Sequence, residues 1–282
     1  MAILTIARQY GSGGKEIGRA VAKLLGYEYI DRNRVLEDMR KVGTKWEESA
    51  KYYDENHPDV WERHDWSFRG FVALNQYHIL DYALQDKAVI MGRGGSFLLK
   101  GVPFALRVRT EGSMDKRIEK VMKWEETNSE NARWLIEKAD KEMSGAVYVI
   151  YGKTWDDPEE YDMVFNTSLL DQNEIITVIK NELIKKEQFN TEEAKKILQM
   201  KVLAAKIKAE IAIHPTLSIS TLDVEPKEEG LIQYGLVVRC VVYNREDLTR
   251  IEEVARKMAG DIPIEFRLNY MAYPRFGRLQ FT

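Results

Sequence analysis

The stretch Ile3-Leu4-Thr5-Ile6-Ala7-Arg8-Gln9-Tyr10-Gly11-Ser12-Gly13-Gly14-Lys15-Glu16-Ile17 decides the fold. Residues 3–7 are a compact β-type run, and the glycines after Tyr10 make a turn. Beyond it Ile17, Val21, Leu24 and Leu25 recur at helical spacing up to Gly26, which predicts an amphipathic helix with a glycine stop. A buried strand, a Gly-rich turn and a helix N-terminus together cradle phosphate. Successive backbone N–H groups converge there, and the helix dipole favours an anion. Gly11, Ser12, Gly13, Gly14, Lys15, Glu16 and Ile17 are therefore the candidate nucleotide-binding residues, with the Lys15 ammonium reaching the outer phosphates. Against the pattern G-x-x-x-x-G-K-[ST], Gln9 replaces the first glycine and Glu16 replaces the Mg²⁺-binding hydroxyl. Ser12 cannot simply take over that position. The competing reading is an ordinary βα turn with an exposed lysine.

Outward from this loop, the first half alternates short β-rich runs with long helical patterns, the grammar of a parallel sheet with crossover helices. Strands are expected at 27–30, 88–91, 105–108 and 163–166. Residues 32–87 read as mostly helical with a break around His57 and Pro58, and 113–127, 129–143 and the segment from about 171 read as helices. After residue 187 the grammar changes. Thr191 opens a Lys- and Ala-rich helix ending near 214, strands follow at 217–224 and 231–243, a helix at 246–259, and an alternating run at 262–271. The expected class is α/β, a parallel sheet flanked by helices over residues 1–188, followed by a small αββαβ module over 189–282.

Composition agrees. A chain of 282 residues has room for two domains at roughly 100–200 residues each. A net charge of −3 removes the bulk electrostatic argument for a nucleic-acid binder. No run approaches the roughly 18 apolar residues of a membrane span, and the apolar N-terminus is too short for a signal peptide, so the cytoplasm is the expected location. The lone Cys240 excludes an intramolecular disulfide and a multi-Cys metal site, and it reads as a small core residue. His57, His64, His78 and His214 lack metal-ligand spacing, while Asp156, Asp157, Glu159, Glu160 and Asp162 read as a solvated loop. No side chain is assigned to a resident metal. Trp46, Trp61 and Trp66 are expected to pack helices.

Several stretches carry a family resemblance: residues 5–18, Tyr29-Ile30-Asp31-Arg32, Val89-Ile90-Met91-Gly92-Arg93-Gly94-Gly95, Leu106-Arg107-Val108-Arg109, residues 151–158, and Tyr161-Asp162-Met163-Val164-Phe165-Asn166-Thr167. In this order, over about residues 3–185, they resemble the cytidylate kinase-like family. The resemblance implies a P-loop nucleoside monophosphate kinase fold that uses ATP and Mg²⁺ to phosphorylate a pyrimidine nucleotide such as CMP. It implies Lys15 and Arg93 as catalytic groups, and Asp31, Arg69 and Arg93 on the acceptor. Arg93 also earns its place by position, since ligands of open α/β sheets collect at the carboxyl ends of strands. For Asp31 a helix N-cap, and for Arg69 a solvated helix face, stay open as alternatives.

The chain departs from the family where charge matters. The lid arginine expected three residues after Asp140 is Met143, and the basic residues expected shortly after it are Val147, Tyr148, Val149 and Ile150. The aspartate that follows the Arg93 position in cytidylate kinases is Gly94. With Glu16, these departures leave open a second reading, a nucleotide sensor that transfers phosphate poorly. From about Ala194 the hydrophobic pattern, with Ala259-Gly260-Asp261-Ile262-Pro263, resembles a BON domain. That implies a regulatory or interaction role, through a protein partner or a homo-oligomer.

Overall fold

The computed structural model describes residues 1–55, 65–229 and 232–272. Strand β1 (Ile3–Arg8) leads into α1 (Gly14–Leu25), then β2 (Glu28–Ile30), α2 (Arg32–Val42), α3 (Thr44–Glu55) and α4 (Trp66–Leu84). Next come β3 (Ala88–Met91), the single turn α5 (Gly95–Leu98), β4 (Ala105–Glu111), α6 (Met114–Trp124), α7 (Ser129–Tyr151), β5 (Met163–Asn166) and α8 (Gln172–Lys186). The five strands form one parallel sheet in the order β2-β3-β1-β4-β5, flanked by helices. The central strand β1 is thus hydrogen-bonded to both β3 and β4, and the loops leaving their carboxyl ends converge.

Both faces of this sheet are apolar, as crossover connections require. Leu4, Ile6, Val89, Leu106 and Val108 pack under Ile17 and Val21 of α1 and Ile175, Ile179 and Leu183 of α8. On the other face Ile3, Ile90 and Ala105 pack against α4 through residues such as Leu74 and Ile79. Each such aliphatic side chain contributes about 1.5–3 kcal/mol relative to exposure. Leu24 departs from its expected place: it is 55% exposed, because the buried stripe of α1 runs through Gly14, Ile17, Gly18, Val21 and Ala22.

The remaining elements are α9 (Glu192–Ile213), β6 (Ile219–Glu229), β7 (Ile232–Val242), α10 (Glu246–Ala259) and β8 (Ile264–Tyr270). β7 pairs antiparallel with β6 and parallel with β8, forming a separate three-stranded sheet. Helix α9 is apolar on two sides. Ala194, Leu198, Val202, Ala205, Ala209 and Ala212 join the core around α4. Met200, Ala204, Ile207 and Ile211 join Leu236, Val238, Cys240, Val242, Ile251 and Ala255 in the core of the second module. A helix with apolar residues all round must be covered on both sides. Cys240 is buried there, and burial pushes its thiol up to about 12.

The structure revises three further expectations. The region 32–87 is interrupted after α2 by Gly43 as well; the expected break at His57 and Pro58, like His57, Trp61 and His64 themselves, lies outside the described residues. The helix expected at 129–143 continues to Tyr151 and stops at left-handed Gly152, because the apolar run after Ser144 buries its face within the protein instead of pairing as a strand. Glu160 is not solvated but 5% exposed, with Lys100 at 2.8 Å and Lys153 at 3.1 Å. Trp46 is buried and meets Trp66 edge-on at 5.2 Å.

Candidate phosphate-loop and acceptor site

The loop between β1 and α1 is shaped by its own polar side chains. Ser12 Oγ donates to the Gln9 carbonyl at 2.8 Å and lies 3.0 Å from Thr110 Oγ1, so this hydroxyl is committed to the loop's structure. Gln9, in place of the usual glycine, accepts the Gly112 N–H on Oε1 at 3.1 Å and ties the exit of β4 to the loop. Gly11 is left-handed (φ 83°), and a Cβ there would lie 3.1 Å from Arg117 Cβ and 3.2 Å from the Arg117 carbonyl oxygen. Its missing side chain lets α6 dock against the loop. Tyr10 continues the connection: its N–H donates to Asp140 Oδ1 at 3.0 Å, and its carbonyl accepts from Arg117 Nη1 at 3.2 Å. Arg117 and Asp140 form an ion pair at 2.5 Å, which joins loop, α6 and α7. Gly13 is left-handed, the N-terminus of α1 follows at once, and Lys15 and Glu16 are exposed there.

Beside the loop lies a cavity of about 320 Å³. Its floor includes Arg8 and Met91 at the ends of β1 and β3, one wall is Phe68, Phe71 and Asn75 of α4, and Tyr53 and Arg32 also contribute. Its cover is the second half of α7, from Ala139 through Met143, Ala146 and Val147 to Tyr151. Arg93 enters from the turn after β3, where Gly92, Arg93 and Gly94 all have positive φ (67°, 54° and 77°). For a non-glycine residue the left-handed conformation costs roughly 1–2 kcal/mol and recurs at functional turns. The turn is held by its backbone: the Arg93 carbonyl accepts from Asn75 Nδ2 at 3.1 Å and from the Tyr151 hydroxyl at 3.3 Å. A Cβ on Gly94 would fall 1.8 Å from that hydroxyl. The position that carries aspartate in cytidylate kinases is here the space occupied by Tyr151. Burial raises the Tyr151 phenol above its ordinary range, so it stays a neutral donor.

Arg8 was not among the residues singled out by the sequence pattern. Burial, and then the Arg93 guanidinium, lower its pKa, while Tyr29, Asp31 and Glu16 act the other way. Arginine stays charged regardless, so two like charges face the same cavity. Arg8 ends β1 as Arg93 follows β3, and the rule about carboxyl ends of strands would have found it. Arg117 and Asp140 were also missed, because their meeting depends on α6 and α7 folding together.

The other candidates divide. Lys15, Gly11, Ser12, Gly13, Gly14, Glu16 and Ile17 form the loop and the first turn of α1, with Ile17 buried in the core beneath it. Asp31 caps α2, its carboxylate accepting from the Asn33 and Arg34 N–H groups at 3.0 and 3.4 Å, yet it still bears electrostatically on Arg8. Arg69 is not brought to the cavity. Its Nη1 donates to the Ile219 carbonyl at 2.8 Å, across to the second module, because it lies on the side of α4 that faces away from Phe68 and Phe71. Among the described residues no group of three or more His, Cys, Asp or Glu side chains could hold a metal. Mg²⁺ does not need one, since it commonly takes one or two carboxylates and fills its shell with phosphate oxygens and water. Glu16 is a carboxylate beside the loop, whereas Asp140 is engaged by Tyr10 and Arg117, and the Ser12 hydroxyl is taken up by the Gln9 carbonyl. No helix among the described residues is long and apolar enough to cross a membrane.

Known proteins fit this architecture. The solved structure of an uncharacterized protein from Eubacterium ventriosum superposes with a TM-score of 0.54 at 19% identity, covering 65% of this chain and 98% of that one, a likeness of fold. The cytidylate kinase of Thermoplasma acidophilum is 27% identical over 183 residues, which span 64% of this chain and 91% of that enzyme. That of Methanopyrus kandleri is 25% identical over 187 residues, 63% and 91% of the two chains. The model of the cytidylate kinase-like family matches residues 3–169, from the start of β1 to beyond β5, and so takes in the loop, the Arg93 turn and α7. With more than half of its length matched, the chain belongs to the cytidylate kinase-like family.

Proposed function

We propose that the protein is a nucleoside monophosphate kinase that transfers the ATP γ-phosphoryl group to a CMP-like nucleotide. The observation that carries this reading is the juxtaposition of the Gly-rich loop at the head of α1 with an aromatic cavity carrying Arg8 and Arg93. Phosphoryl transfer demands positioning and charge neutralisation more than covalent chemistry. The loop amides and Lys15 hold the donor phosphates. Arg93 and Arg8 hold the acceptor phosphate, whose oxygen attacks the γ-phosphorus in line as the bond to the ADP oxygen breaks. Phe68, Phe71 and Tyr53 supply flat apolar surface for a base. Mg²⁺, brought with ATP, would supply further neutralisation of phosphate charge, and Glu16 would be a carboxylate within the first turn of α1 to help hold it. Release of ADP, measured across the common nucleoside monophosphates, tests the proposal; turnover that survives Lys15→Ala unchanged rejects it.

One observation favours the second reading, a nucleotide sensor without efficient transfer. The cavity-facing half of α7 presents Met143, Ala146 and Val147 where a lid arginine is expected. Calorimetric binding of ATP or CMP with no product would select it. The C-terminal module then supplies the output, by a BON-like interaction with a protein partner or a second copy of the chain.

A further inference from the structure

We infer that Lys120 of α6 is a second donor-phosphate cation, taking the charge role that α7 lacks. The inference rests on the ATP-binding loop proposed above but not on turnover. Gly11 allows α6 to lie against the loop, and the Arg117–Asp140 pair with its two bonds to Tyr10 fixes the helix there. One turn further along α6 this docking carries Lys120 over Gly13. A Cβ on Gly13 would sit 2.8 Å from Lys120 Nζ and 3.9 Å from Glu16 Oε2. The ammonium therefore stands at the N-terminus of α1, beside the backbone N–H groups that no helical carbonyl satisfies.

Electrostatics makes this placement informative. A cation at a helix N-terminus is at the wrong end of the dipole. Among the described residues no carboxylate makes an ion pair with Lys120, whereas Lys116 on the same helix pairs with Glu119 at 3.2 Å. A multiply charged phosphate between Lys120 Nζ, Lys15 and the loop amides reverses the sign, since all three then point at one anion. Helix α7 presents Met143, Ala146 and Val147 on the acceptor side, so Lys120 reaches the loop from α6.

Calorimetric titration of the full-length protein with ATP, in wild type, Lys120→Ala and Lys120→Arg, decides the matter. The expected result is an ATP affinity about 10-fold weaker in Lys120→Ala, restored to within about threefold in Lys120→Arg, with the nucleotide-free melting temperature unchanged or raised because an unfavourable cation has gone. Unchanged ATP affinity in Lys120→Ala, equal weakening in both variants, or absence of ATP binding to the wild type overturns the inference. An ADP-release assay separates the two claims. A wild type that binds ATP without turnover sinks the kinase reading and leaves Lys120 standing, while robust turnover with unaltered ATP affinity in Lys120→Ala does the reverse.

Discussion

At the donor side the chain offers backbone N–H groups, an exposed Lys15 and a helix N-terminus, held by the hydrogen bonds of Gln9 and Ser12. At the acceptor side it offers Phe68, Phe71, Tyr53 and an apolar stretch of α7, with Arg8 and Arg93 as the charged groups nearest the loop. On the proposed reading the first region binds through directions that the backbone sets. On the same reading the second selects through shape, with the Arg8 and Arg93 guanidiniums acting on one another across the cavity. The difference implies that donor-side substitutions act on every nucleotide alike, while acceptor-side substitutions discriminate between acceptors.

The sharpest way to break this division is Lys15→Ala, expected to lower kcat about 10²–10³-fold for all acceptors, as loss of one transition-state charge partner does. An effect confined to one acceptor in a steady-state ADP-release assay would contradict it. Arg93→Ala is expected to raise the KM for the acceptor about 10–100-fold with little change in the KM for ATP, equal to losing a charge-assisted contact of roughly 1.5–3 kcal/mol. Gly94→Ala tests the cover of the cavity. Its Cβ occupies the Tyr151 hydroxyl position, and φ of 77° adds strain of roughly 1–2 kcal/mol, so a lower melting temperature and looser protection of the α7 amides in hydrogen exchange are expected.

Away from both regions the effects shrink. Arg69→Ala removes a half-buried hydrogen bond to Ile219 and should destabilise the protein by about 1–2 kcal/mol in denaturant unfolding without altering ATP affinity. Glu160 provides the pH test. Burial alone would raise its pKa, but the bonds from Lys100 and Lys153 outweigh it and hold the carboxyl below the usual value. A depressed folded value means the stabilisation is present above the unfolded pKa of about 4.3 and is lost as pH falls through the folded value. The melting-temperature gap between wild type and Glu160→Gln should therefore narrow steadily on acidification below about pH 4.5.

Much of the fold is legible because its signals are local. The β1 run, the Gly-rich turn, the amphipathic α1 and its Gly26 stop lie within two dozen residues, and the αββαβ order of the second module follows from periodicity alone. The length of α7 was not legible. Val147, Val149 and Ile150 are β-branched and suggest a strand, yet they continue a helix because the cavity beneath takes up their apolar surface. Arg69 was misleading for a related reason: one helix, α4, faces the cavity with Phe68 and Phe71 and the second module with its neighbour, and spacing does not say which side a lone arginine takes.

The sequence by itself determined the Gly-rich turn after β1, the parallel α/β class and the positions of Lys15 and Arg93 on the turns after β1 and β3, since chain neighbours supply all the groups involved. Only the tertiary structure decided that Gly94 makes room for Tyr151, that Glu160 is a buried ion pair, and that Lys120 stands over Gly13. Gly94 and Tyr151 are 57 residues apart, Lys100 and Glu160 60, and Gly13 and Lys120 107, and no local propensity encodes which distant side chain fills the space a glycine leaves.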